Sequence, residues 1–365
     1  MAERPLPAAQ VSAPERSITA GTIIAFLLLV IIALGAWFWS DIMLLVFGAI
    51  LLAVALRGGA NRLHSLVGLN VKIGVLVVVL AVLGALAGVG RLAGPAIAEQ
   101  LDELITSIPE SWEALTGWIA GNSTAEALQD SIEENVDLGS NAAEMAQRLP
   151  QLLGAISGAV NATVGGVMSI FLLLIMALYL AMEAERYRAG AICLLPIRHR
   201  SRGADILDEM GRKLRMWLGG QALDMLAVGV MAGVGLWLLD VPLAFILALI
   251  AALTNIIPII GPFISGAIAV LFAFTQGIDI AVQVLILFIV IQLIDGEIIL
   301  PLIQRFAVSL PPALTVVGIM AFGALFGLAG ILLATPLLVV LIVLIQRAYI
   351  EDVLGDDLGQ DPEKG

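Results

Sequence analysis

The chain has 365 residues, of which 60% are hydrophobic and 13% charged, with a formal net charge of −12. One soluble core of this length cannot hide so much apolar side chain, so the composition, with a mean hydropathy of +1.04, excludes an ordinary soluble domain and points to an all-α polytopic membrane protein. A single cysteine, Cys193, excludes an intrachain disulfide; two histidines, His64 and His199, argue against a His/Cys metal site; and the charge balance argues against a nucleic-acid partner.

No nucleophile elbow, zinc-protease motif or phosphate loop occurs, so the sequence predicts no enzyme, no metal and no cofactor. Residues 1–20 read as a cytoplasmic tail with Arg4 and Arg16. Three transmembrane helices follow within 21–94: apolar runs at 22–39 and 42–56 joined tightly at Ser40 and Asp41, then 73–90. Arg57, Arg62, His64 and Lys72 mark the intervening loop as cytoplasmic, which also places the N-terminus inside.

Segment 95–158 carries eleven acidic side chains against one basic one, Arg148, and belongs outside the cytoplasm. Leu101, Leu104, Ile105 and Ile108 recur at helical spacing, and Trp112, Leu115 and Ile119 resume it beyond Pro109, predicting short amphipathic helices. A solvated acidic face over a packing seam and a solute-gathering vestibule both fit this pattern. A fourth helix within 159–182 returns to the inside. Segment 183–217, with eight basic residues and five acidic ones, reads as a basic cytoplasmic loop.

Residues 218–347 form the candidate transport core. After a span at 218–239, the apolar pieces 243–257 and 262–275 are too short to cross a core that needs about 20 residues, and predict a hairpin (243–275) turning at Pro258–Pro262. A span at 278–294 then leads to a second hairpin (312–346), broken at Gly327 and Gly330. Pro242 to Gly261 and Pro311 to Gly330 are each 19 residues apart. Gln221-x-x-Asp224 in the first unit is echoed by Gln292-x-x-Asp295 in the second. The result is about eight hydrophobic segments with an inverted pair of broken-helix hairpins in the C-terminal half, followed by an acidic cytoplasmic tail, 348–365.

Paired breaks of this kind point to a transport site. Breaking the helix at Asn255–Pro262 leaves freed carbonyls beside freed amides, and Asn255 adds a side-chain donor and acceptor while Pro258, Gly261 and Pro262 fix the break. Gly323, Gly327 and Gly330 either let backbone approach a solute or let helices pack closely. Thr254, Ser265, Thr315 and Thr335 have the competing role of bonding carbonyls one turn back. Asp224 lies roughly 12 Å beyond Met216 along the helix at 1.5 Å per residue, with Gln221 on its face. It is a candidate proton or Na+ group, the alternatives being an interfacial acid that positions the helix or a salt bridge to Arg215. Asp295, Glu297, Pro301 and Arg305 are candidate inner-gate charges and shape, or simply an ion pair at a span end.

These residues resemble the autoinducer-2 exporter family of bacterial permeases. The likeness is carried by Pro258-Ile-Ile-Gly261-Pro262, the Gln292–Pro301 stretch with Asp295-Gly296, Leu310-Pro311-Pro312, and Gly323-Ala-Leu-Phe-Gly327-Leu-Ala-Gly330 followed by Ala334-Thr335-Pro336. Glu297 and Pro311 depart from the family pattern. The resemblance implies a homo-oligomeric inner-membrane protein exporting small polar molecules such as the autoinducer-2 furanone, with other members described as sodium/proton antiporters. Alternating-access export of a small polar solute, monovalent cation/proton antiport and a non-transporting membrane scaffold are therefore the three readings to compare.

Overall fold

The computed structural model describes residues 39–120, 164–304 and 311–355. Residues 1–43 form a unit of their own, of which only 39–43 are described; the expected first span, 22–39, lies almost entirely outside the described residues, as do Arg305 and the second half of the acidic segment.

Helices account for the described chain, with no strand among those residues. They are α1 (Ser40–Val67), α2 (Val71–Leu92), α3 (Gly94–Ala120), α4 (Val164–Met182), α5 (Ala184–Cys193), α6 (Arg200–Leu238), α7 (Ala244–Thr254), α8 (Ile260–Ala273), α9 (Ile278–Ile294), α10 (Leu300–Gln304) and α11 (Pro312–Leu344). By length and composition alone, five helices among the described residues reach spanning length, or six if the pair α4 and α5, bent by 84°, is one span; α11 is one of the five, although it reverses at Gly327. The count of eight segments is thus not reached among the described residues.

Two expectations are corrected by helix continuity. The basic segment 183–217 is mostly helix, because α6 begins at Arg200 and runs 39 residues without interruption. The amphipathic stretch does not break at Pro109: α3 continues through it. An interior proline costs roughly 3 kcal/mol, and here the helix is held by an apolar seam on which Leu104 and Ile108 are buried, part of one core cluster as α3 packs on α7 and α8.

Arg57 ties α1 to the α4–α5 bend by donating to the Ala181 carbonyl (3.3 Å) and to Glu185 (2.7 Å). Closer to the core, small residues decide the spacing. A side chain at Gly229 would press on Ala252 at 2.8 Å, and one at Gly233 on Ala248 at 3.2 Å. This small-x-x-x-small face lets the α6 and α7 backbones approach closely. Val228 and Ala232 of α6, Ala248 and Ala251 of α7, and Ile291 of α9 fill the seam.

Both glycine-marked breaks reverse the chain. Between α7 and α8, the non-glycine Ile259 takes φ 70°, and a Cβ on Gly261 would collide with the Thr254 carbonyl. In α11 the backbone leaves helical geometry at Gly327 (φ 62°, ψ −146°). The two arms then lie side by side, because Gly318 abuts Leu338, Gly323 abuts Ile331 and Gly330 abuts Phe322. An arm of 312–326 reaches only about 22 Å at 1.5 Å per residue, short of the ~30 Å hydrocarbon core.

Candidate functional site

The α6–α7 seam ends at a buried polar cluster. Asp224 sits on the same face of α6 as buried Val228, Ala232 and Leu236, one turn apart, so the packing that buries this stripe also buries the carboxylate. Asn255 caps the C-terminal end of α7, where the helix breaks. Its Nδ2 donates to Asp224 Oδ2 at 2.7 Å. Gln221, one turn earlier on α6, donates from Nε2 to the Asn255 carbonyl at 2.9 Å, meeting an acceptor that the break leaves free.

The fourth member comes from the other unit. After α9 the helix widens into a π turn at Asp295–Ile299. Pro301 explains the location: its ring clashes with the carbonyl of residue 297 and it has no amide to offer it, so regular α-winding fails one turn before the proline. The π turn packs against α6, which brings the Asp295 carboxyl into the neighbourhood of the Asp224 carboxyl, near enough for the two to interact. Asp224 and Asp295 are each 9% exposed and Asn255 is 3% exposed. Oδ1 of both aspartates is buried and has no hydrogen-bond partner among the described residues. Two full charges side by side in such a dry site would repel strongly, because the low local dielectric screens them little.

The predicted residues divide clearly. Gln221, Asp224, Asn255 and Asp295 are brought together. Asp295 is buried together with Asp224, whereas Glu297 and Pro301 are exposed. Asp224 is bonded by Asn255, with no bond to Arg215. Pro258 is half-buried and, with buried Gly261, shapes the first break. Gln292 is exposed and, with Pro262, lines an apolar groove of about 610 Å3 between α8 and α9 that also includes Leu115, Phe263 and Phe288. The Gln-x-x-Asp echo thus holds for the acids and fails for the glutamines. Gly323, Gly327 and Gly330 form the second reversal: Gly330 is buried, whereas Gly327 is exposed with open space beside it. The hydroxyls of Thr254, Ser265 and Thr315 each bond a carbonyl four residues back.

Sequence reasoning missed a second polar cluster. Arg347 donates to Glu209 (2.6 Å) and Glu351 (2.7 Å), and Arg202 donates to Glu351 (2.6 Å), Asp352 (3.2 Å) and the Arg347 carbonyl (3.1 Å). It clasps the first turns of α6 to the π turn Ile345–Glu351 that ends α11. Only the Arg347–Glu351 spacing of four is visible locally; the long-range partners leave no signal in the sequence.

This arrangement can be set beside known proteins. The profile described as AI-2E family transporter matches residues 26–350. The chain belongs to the AI-2E transporter family. YrrI of Bacillus subtilis 168, named as a transport protein, is 32% identical over 163 residues, which are 45% of this chain and 46% of YrrI. A protein of Mycobacterium tuberculosis, MT0215, also named for transport, is 38% identical over 111 residues, or 30% of each chain. PerM of Escherichia coli K12, named as a permease, is 24% identical over 175 residues, 47% of this chain and 49% of PerM. The chain thus matches at most about half the length of these relatives. As an AI-2E family member it is a multi-pass membrane protein, in keeping with its apolar helices.

Proposed function

We propose that this AI-2E protein is a secondary transporter of the bacterial inner membrane, with both termini cytoplasmic, that exports a small polar solute of the autoinducer-2 type by alternating access. The single observation that carries this reading is the buried Asp224–Asn255–Asp295 cluster at the end of a broken helix, joining elements from two units of opposite predicted orientation. Isolated buried carboxylates are costly and rarely persist in membrane helices without use. In this reading Asn255 and the hairpin tips hold the solute, and movement of H+ or Na+ through Asp224 drives it. The names of YrrI, MT0215 and PerM support the transport class and leave the solute open.

The test is flux in proteoliposomes under imposed proton or sodium gradients, comparing the autoinducer-2 furanone with neutral and charged small solutes. Gradient-dependent flux of a polar solute is expected. No flux above that of protein-free vesicles for any solute or gradient would remove the proposal and favour a scaffold. Proton movement on adding sodium, with no solute flux, would replace it by cation/proton antiport.

A further inference from the structure

We infer that Asp224 and Asp295 form one proton-binding site shared between the two units, and that its proton locks the π turn after α9 against the α6–α7 break. The inference rests on the transport reading only in taking the lock to be part of a transport cycle.

Three observations lead to it. The two carboxyl groups are interacting neighbours where the π turn packs on α6, and a hydrogen bond between two carboxyls needs one proton, because ionised carboxylates only accept. Each residue is nine-tenths buried, and the Oδ1 of each is without a partner among the described residues. Asn255 supplies a donor to Asp224 Oδ2 alone. The donor that the site lacks is the one a shared proton provides.

Among the described residues, the elements around the pair offer no other buried charge. Helices α7, α8, α10 and α11 contain no ionisable side chain. On α6 the nearest is Arg215, nine residues before Asp224, and just past its end is Asp240, sixteen residues after it. On α9 the acid is Asp279, at the far end, and in the π turn Glu297 is exposed. The helix α5 meets α6 through Arg188 and Asp208, sixteen residues from Asp224. Losing the proton would therefore leave two neighbouring like charges with no cation beside them among the described residues, and their repulsion separates the π turn from the break. Proton release and opening become one event. The separated carboxylates then take up water, and a new proton restores the contact.

Infrared spectroscopy of the full-length protein in lipid tests this directly. Wild type should show one carboxylic C=O band per protomer that shifts in deuterium oxide, shifts again when aspartate carboxyls carry carbon-13, and vanishes on raising the pH. Asp224→Asn and Asp295→Asn should each abolish it, since an amide then supplies the missing donor. Absence of the band from wild type at every pH, or its survival in either variant, overturns the shared proton. The carbon-13 result needs no variant and so stands if a substitution fails to fold. Because no solute is present, a band without flux rejects the transporter reading and keeps the proton pair, whereas flux without a band does the reverse.

Discussion

The molecule contains two polar clusters built on the same helix, and they differ in how completely they are matched. Near its N-terminal end, α6 meets α11 through Arg202, Glu209, Arg347 and Glu351, where cations and anions alternate and nearly every side-chain group has a partner of opposite sign. Further along, Asp224, Asn255 and Asp295 gather two acids, one amide donor and no cation, leaving two buried oxygens without partners. A matched network holds elements together. An unmatched one stores a demand for a ligand, and the structure keeps it away from water, where that demand is strongest.

The comparison can be broken most severely at the unmatched cluster. Asp224→Asn is expected to abolish gradient-driven flux at unchanged protein level, measured in proteoliposomes; full coupled flux in that variant would show that the two clusters do not differ in kind. A smaller effect is expected at the hairpin that supports it. Gly261→Ala sets a methyl group against the Thr254 carbonyl and should lower stability by about 1–3 kcal/mol, as overpacking does, seen as a reduced melting temperature in detergent. At the matched cluster, Arg347→Ala removes two ion pairs at once and should cost about 1–2 kcal/mol while leaving flux largely intact. That loss should shrink in high salt, which screens exposed charges. Smallest of all, Arg188→Ala breaks a bidentate contact to Asp208 at 2.6–2.7 Å whose acid is 60% exposed, and should change the melting temperature by less than about 1 kcal/mol implies. An effect on flux at Arg347 as large as at Asp224 would instead make the clasp part of the gate.

Much of the interior cluster was legible because membrane interiors make polar residues conspicuous. Asp224, Asn255 and Gln221 stand out in apolar runs, and the Gly-Pro breaks mark where backbone groups are freed. What local pattern could not supply was partnership. Asp295 follows an apolar helix and precedes Glu297, so it reads as a span-end charge. Its burial depends on the π turn and on contact with α6, 71 residues earlier. Gln292 shows the reverse failure: it repeats the Gln221 spacing, but the α9 face that carries it lines an apolar groove. Pro109 was misjudged in the same way, since tertiary burial of Leu104 and Ile108 sustains a helix that the proline alone disfavours. The clasp was hidden because charge runs look alike whether their partners are water or a distant helix.

The π turn at Asp295–Ile299 carries a consequence for how this site is built. It amounts to one extra residue of winding inserted into a helix, so the azimuth of everything after it, relative to Asp295 and α9, is set by a single position in the chain. Excising Gly296 would return the segment to 3.6 residues per turn and swing the helix that follows by about 100° relative to α9 and Asp295. The pairing of the two halves thus hangs on chain length at one step as much as on the identity of any side chain.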